Sequence, residues 1–240
     1  MYETYIFDLY GTLADIRTNE TRPSLWRGAA AYMTLRGAPY SAPELRAAYR
    51  RAVEAQREVT LRRLGSPCPP ELAEPDLAEV IRALYAAKGV TAGADDIAHW
   101  ALMFRALSLD YVRLFPGAAE TLDELRRRGK KCCLLSNAQR LFTAPELRSL
   151  DLDRRLDGVL LSSDVGAAKP SPLFYRALLE KYAIDPATAV MVGNDARADA
   201  WGAHACGLAA MYIHTPQSPA TDGGLPPGCR RLDAIVDVLD

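Results

Sequence analysis

The stretch Tyr5-Ile6-Phe7-Asp8-Leu9-Tyr10-Gly11-Thr12 decides how this chain reads. Three apolar residues run directly into an acid, and Gly11 then marks a turn. A short apolar run stopping at a polar cluster is the signature of a buried strand presenting its carboxyl end. The same pattern returns further on. Lys131 to Leu135 ends at Ser136-Asn137, and Gly158 to Leu161 ends at Ser162-Ser163-Asp164. Ala189 to Val192 ends at Gly193-Asn194-Asp195, and Leu208 to Ile213 forms a fifth run. Helical patterns separate these runs: Ala118 to Arg128 closed by Gly129, Pro172 to Tyr182, and Asp199 to Cys206 closed by Gly207. A short last element near Leu232 to Leu239 reads as a helix. Apolar strands alternating with helices imply an α/β fold, a Rossmann-like parallel sheet with helices on both faces.

Between the first and second strands lie more than 100 residues of a different texture. Leu25, Trp26, Ala29, Ala30 and Met33 recur at helical spacing. Ser41 with Glu44 three residues on is a capping box, and the helix it opens runs to Gly65. A loop, Ser66-Pro67-Cys68-Pro69-Pro70, precedes two more helices, Leu77 to Ala87 and Asp95 to Leu107. Leu114-Phe115-Pro116-Gly117 ends the region. The expected organisation is an α/β core of residues 1–13 and 113–240 interrupted by an α-helical cap of residues 14–112. Trp26, Tyr32, Tyr40 and Phe104 fall at packing positions of these helices. The Pro/Gly-rich stretch from Thr215 to Gly228 reads as a surface loop.

Composition narrows the function classes. The chain has 240 residues, 49% hydrophobic and 25% charged, with formal net charge -1. That balance gives no global pull toward nucleic acid or a membrane surface. Its partner is expected to be a small-molecule substrate. No run approaches the length of a membrane span, and no signal peptide is read at the start. The five cysteines have no metal-ligand spacing and fit reduced thiols in the cytoplasm.

In an open parallel sheet, ligands bind beyond the carboxyl ends of the strands. Four polar clusters are expected at that edge: Asp8 to Thr12, Ser136-Asn137, the loop reaching Lys169, and Asn194-Asp195 with Asp199. Taken singly, each has a plainer reading as a turn residue, a helix cap or a loop lysine. Their joint order favours a site. Three carboxylates there need a counter-charge. Oxygen-only ligands suit a hard cation, Mg²⁺ above all. One carboxylate facing the substrate can act as nucleophile. Thr12, Ser136 and backbone N–H groups after Gly11 can donate to phosphate-like oxygens, and Lys169 adds positive charge.

These residues resemble the haloacid dehalogenase-like hydrolases. That family's first motif, an Asp, two residues and Gly-Thr, is matched by Asp8-Leu9-Tyr10-Gly11-Thr12. The second is matched by Leu134-Leu135-Ser136-Asn137, the third by Lys169-Pro170, and the fourth by Val192-Gly193-Asn194-Asp195 with Asp199 and Gly202-Ala203. The resemblance implies that Asp8 is nucleophile and Mg²⁺ ligand, with Asp195, Asp199 and the backbone carbonyl of Tyr10 completing the metal site. It implies that Gly11, Thr12, Ser136, Asn137 and Lys169 hold the transferred group under a closing cap.

Two departures bear on the reaction. Phosphatases of the family carry an acid two residues after the nucleophile, where this chain has Tyr10. The L-2-haloacid dehalogenases have Tyr there, and Leu25-Trp26-Arg27 resembles a segment in which their Arg binds the substrate carboxylate. Motif four points the other way, because those metal-free enzymes carry Ser-Ser-Asn where this chain has Asn194-Asp195-Ala196. The expectation is a Mg²⁺-dependent phosphatase for a small phosphorylated metabolite. With Tyr10 among the catalytic positions and a poor base near neutrality, substrates with good leaving groups are expected. The alternatives are an L-2-haloacid dehalogenase-type hydrolase and a non-catalytic metal- or ligand-binding regulatory protein.

Overall fold

The structure, a computed structural model, describes residues 2–65, 68–220 and 224–240. Parts of the two expected loops, 66–67 and 221–223, lie outside the described residues. Among the described residues six strands form one parallel sheet: β1 (Thr4–Phe7), β4 (Lys131–Ser136), β5 (Gly158–Leu161), β6 (Ala189–Gly193), β7 (Ala209–Ile213) and β8 (Arg230–Leu232). Their order is β5-β4-β1-β6-β7-β8. The chain winds outward from β1 through β4 to β5, then crosses back to β6 on the other side. That reversal opens a crevice at the carboxyl ends of β1 and β6.

The strand alternation sorts side chains into two layers, as a period of two requires. Tyr5, Phe7, Cys132, Leu134, Val190 and Val192 pack on one face with Leu122 and Leu125 of helix α5 (Ala118–Arg127). Ile6, Cys133, Leu135 and Met191 pack on the other with Phe174 and Leu178 of helix α8 (Pro172–Lys181). Both faces are buried, so the strands read as continuous apolar runs.

The insert carries four helices: α1 (Pro23–Leu35), α2 (Ala42–Leu64), α3 (Leu77–Ala86) and α4 (Ala94–Ser108). Ser41 and Glu44 form the expected capping box at the start of α2. Trp26, Trp100 and Phe104 are buried in a common aromatic cluster, and Trp100 and Phe104 stack with centroids 4.8 Å apart. No described helix is long and apolar enough to cross a membrane.

Three features were not anticipated. An antiparallel ribbon of β2 (Ala14–Thr18) and β3 (Leu109–Leu114) ties both ends of the insert together. The insert's middle also docks on the core: Leu61, Leu64, Cys68 and Ala73 join the apolar cluster under β4 and β6. There Glu74 N donates to Gly166 O (2.9 Å) and Ala168 N to Leu72 O (2.8 Å), just before Lys169. A helix α6 (Arg140–Ser149) follows β4, with Pro145 inside it. The last segment is the edge strand β8 and a 3₁₀ turn, Ile235–Leu239, rather than one helix.

Candidate active site

Asp8 follows β1 without a break. Its backbone N–H donates to Val192 O (2.9 Å), extending the pairing of β1 with β6 past the strand end. The chain then turns sharply, with Leu9 O accepting from the amides of Leu13 and Ala14. Gly11 takes a left-handed φ of 87°, and a Cβ there would collide with the Asn194 side chain. Glycine is therefore required twice over, by backbone angle and by space.

Asp8 is only 7% exposed, and its two oxygens are treated differently. Oδ1 accepts from Ser136 Oγ (3.1 Å) and from Lys169 Nζ (2.7 Å). Oδ2 has Thr12 Oγ1 at 3.5 Å, the far limit of a hydrogen bond. One oxygen is pinned and the other is nearly free. Together with Tyr10, Ser136, Asn137, Lys169, Asp195 and Asp199, Asp8 lines a polar cavity of about 170 Å³.

Lys169 sits between two acids, with Nζ also 2.6 Å from Asp199 Oδ1. Burial works against its charge, but Asp199 and Asp8 outweigh that and hold the ammonium above its ordinary range. Asp199 feels the reverse balance. Burial pushes it up to about 7, with Lys169 pulling down and Asp8 pushing up. At 2.6 Å from a cation the ionised carboxylate is the form the geometry favours. Asp199 lies so close over Gly193 that a Cβ on that glycine would strike its carboxylate.

The other expected residues divide between the cavity and its frame. Asp195 caps a π-helical turn, Ala196–Trp201, its Oδ1 accepting from the amides of Arg197 (2.9 Å) and Ala198 (2.8 Å), while its side chain lines the cavity. Asn137 clamps the backbone of Lys169 from both ends: its Oδ1 accepts from Lys169 N (2.7 Å) and its Nδ2 donates to Lys169 O (3.1 Å). Thr12 donates to Asn194 Oδ1 (3.3 Å).

Tyr10 turns its phenol away from Asp8. The hydroxyl donates to Glu146 Oε2 and lies 3.0 Å from Thr143 Oγ1, both on α6. Glu146 in turn accepts from Arg105 Nε of α4 (2.6 Å). Burial first, then the Glu146 carboxylate, raises the phenol well above its usual range, so Tyr10 stays protonated. Glu146, Thr143 and Arg105 were not anticipated. The one available signal is that an uncharged Tyr in a polar turn needs a partner.

Arg27 stands elsewhere. It lines an exposed groove between α1 and α2 with Arg46 and Arg50, and it is not among the residues lining the Asp8 cavity.

Among the described residues no set of three or more His, Cys, Asp or Glu side chains converges as a metal cluster. Lys169 takes Asp199 out of such a set. Two carboxylates, Asp8 and Asp195, remain at the cavity, and the Tyr10 carbonyl accepts no hydrogen bond from the described residues. This all-oxygen donor set fits Mg²⁺, which binds through one or two carboxylates and keeps several waters.

A sheet that reverses at β1 and β6, an acid at that crevice and a helical insert tied on by a ribbon define a Rossmann-like α/β enzyme core with a cap. Residues 2–207 match the haloacid dehalogenase-like hydrolase family, and the chain belongs to it. It is 32% identical over 133 residues to a ribulose-1,5-bisphosphate 5-phosphatase of Halopiger xanaduensis, covering 55% of this chain and 56% of that one. The chain spans about half the length of the curated relatives it matches at 32 to 34% identity. Among solved structures, a dehalogenase with an intermediate complex superposes with TM-score 0.58 at 21% identity, covering 99% of this chain and 95% of that one. A HAD phosphatase from Thermococcus onnurineus also gives 0.58, at 17% identity, covering 98% and 95%. Fold likeness is therefore equal for the two chemistries.

Proposed function

We propose that this chain is a Mg²⁺-dependent phosphatase acting on a small phosphorylated metabolite. The observation that carries this reading is the split environment of Asp8: Oδ1 is held by Ser136 and Lys169, and Oδ2 is left nearly free beside a polar cavity. A fixed carboxylate with one free oxygen suits in-line attack on phosphorus: the Asp8 Oδ2–P bond forms as the P–O bond to the leaving group breaks. The leaving group departs as its oxyanion and takes a proton from solvent, and water then hydrolyses the acyl phosphate to phosphate and Asp8. Ser136 and Thr12 can turn their hydroxyls from Asp8 and Asn194 to the phosphoryl oxygens, whereas the amides of Thr12, Leu13 and Ala14 stay committed to Leu9 O and shape the turn. Lys169 offsets the charge that gathers near Asp8. Asn137 keeps Lys169 in place by holding its backbone. Mg²⁺ held by Asp8, Asp195 and the Tyr10 carbonyl, with Asp199 orienting the site through Lys169, would neutralise phosphoryl charge. The phosphatase relative at 32% identity supports the reading.

Tyr10 stands where the family's phosphatases have an acid. Its protonated phenol is committed to Glu146, so leaving groups that need little protonation are favoured: aryl, acyl or anhydride phosphates. The free thiols of all five cysteines fit a cytoplasmic location.

One observation favours a second reading. Tyr10 is the dehalogenase residue at its position, and the Lys169–Asp199 pair leaves one acid fewer for a metal. A screen of phosphate esters and 2-haloacids, each with and without Mg²⁺, separates the two. Phosphate release that requires Mg²⁺ is expected. Halide release that persists in chelator would overturn the phosphatase reading.

A further inference from the structure

A second cavity, of about 240 Å³, opens beside the Asp8 cavity and shares Tyr10 and Asn137 with it. Its walls include Ile16 from the ribbon, Arg105 from α4, and Gln139, Phe142 and Thr143 from the core. It therefore lies where cap meets core, adjoining the Asp8 cavity. Tyr10 and Phe142 give it aromatic walls, and Arg105 stacks over the Phe142 ring at 5.2 Å.

Arg105 is the cationic residue among those lining this cavity. Its Nε is committed to Glu146 at 2.6 Å. No other nitrogen of Arg105 has a hydrogen bond to a described residue, and its side chain is 13% exposed. The terminal nitrogens are thus held in place by packing and by Glu146, with donors to spare. The charge on Arg105 is not spare. Glu146 pairs with it directly, at 2.6 Å and largely out of solvent, so a further anion gains little there. A neutral oxygen acceptor gains a charge-assisted hydrogen bond without bringing an unmatched charge.

We infer that Arg105 is a specificity-determining residue that, among aryl phosphates, selects those whose leaving group carries a neutral hydroxyl or carbonyl oxygen over those carrying a carboxylate substituent. This rests on the phosphatase reading and adds the class of leaving group to it. Glu146 sets the preference from behind, by cancelling the charge while leaving the donors.

Three aryl phosphates of matched reactivity test it: phenyl phosphate, 3-(hydroxymethyl)phenyl phosphate and 3-carboxyphenyl phosphate. The wild-type protein is expected to show the highest kcat/KM on the hydroxymethyl compound. Arg105→Gln is expected to lower that value by about tenfold, the loss of one charge-assisted hydrogen bond, mainly through KM. Its kcat/KM on phenyl phosphate should stay within about twofold. Glu146→Gln, which removes the counter-charge and keeps the shape, is expected to move preference toward the carboxyphenyl compound. An equal loss on all three substrates in Arg105→Gln would show a merely structural role and overturn the assignment. So would a wild-type preference for the carboxylate, or no change of preference in Glu146→Gln. A wild-type protein that hydrolyses none of the three overturns the phosphatase reading itself, and this assignment with it.

Discussion

The phenol of Tyr10 donates its proton to the carboxylate of Glu146, 136 residues away on α6, and not into the cavity over Asp8. The residue at the family's acid position is thereby turned into a strut between the Asp8 loop, the core helix and, through Arg105, the cap. Tyr10→Phe should leave turnover of an aryl phosphate within about threefold and lower stability by about 1 to 2 kcal/mol, since Glu146 loses a buried donor. Urea denaturation and steady-state kinetics on the same preparation check both halves. A large loss of turnover at unchanged stability would return Tyr10 to proton transfer.

Tyr10→Asp restores an acid at that position. The ratio of alkyl to aryl phosphate turnover is expected to rise by about tenfold or more, because alkoxide leaving groups depend most on protonation. The two rates measured side by side decide it, and an unchanged ratio in a folded variant would count against the account.

The strands at the centre were legible because burial on both faces writes itself as unbroken apolar sequence. Ile6, Leu134 and Val192 are all fully buried. The polar residue that ends each run marked the cavity edge for the same reason. The ribbon was not legible. Ala14–Thr18 and Leu109–Leu114 are half exposed and mixed in character, and the second runs straight on from α4. Helix α6 was hidden by Pro145 and by a weak apolar stripe. Within the site, residue types were readable but partners were not. Asn137 looks like a ligand donor in sequence and is spent on the backbone of Lys169. Asp195 looks like a metal acid and also caps a helical turn. Such double duty is set by tertiary distances that no local spacing records.

Lys169 shares its one charge between two buried carboxylates, Asp8 and Asp199. Lys169→Met should abolish turnover and cost about 3 to 5 kcal/mol, the range for leaving a buried charge without its partner. The double variant Lys169→Met with Asp199→Asn should regain part of that stability but none of the activity. Chemical denaturation of both variants gives the comparison, and additive losses would contradict the coupling.

Gly193→Ala places a methyl group where the Asp199 carboxylate lies. The expected result is displacement of Asp199 from Lys169 and a loss of about 1 to 3 kcal/mol, as for overpacking elsewhere. Wild-type stability in that variant would show that Asp199 is free to move aside.

Burial pushes the Cys132 thiol up to about 12 and that of Cys133 up to about 11. Both raised values are those of neutral acids, so unfolding releases protons once the pH passes the unfolded thiol value of about 8.5. The stabilising contribution is complete below that pH and is lost progressively as the pH rises through the folded values. Stability should fall from about pH 9 upward, and the fall should be shallower in Cys133→Val. Denaturation midpoints between pH 7 and 11 test this, with an identical slope in the variant as the contrary result.

The central claim is that Asp8 attacks phosphorus with Mg²⁺ in place. The most direct measurement is phosphate release from phenyl phosphate by the wild-type protein and by Asp8→Asn, each in Mg²⁺ and in chelator. The account predicts release by the wild type in Mg²⁺ alone, with no detectable release by Asp8→Asn in either condition. Release by Asp8→Asn at the wild-type rate, or release unaffected by chelator, would contradict it.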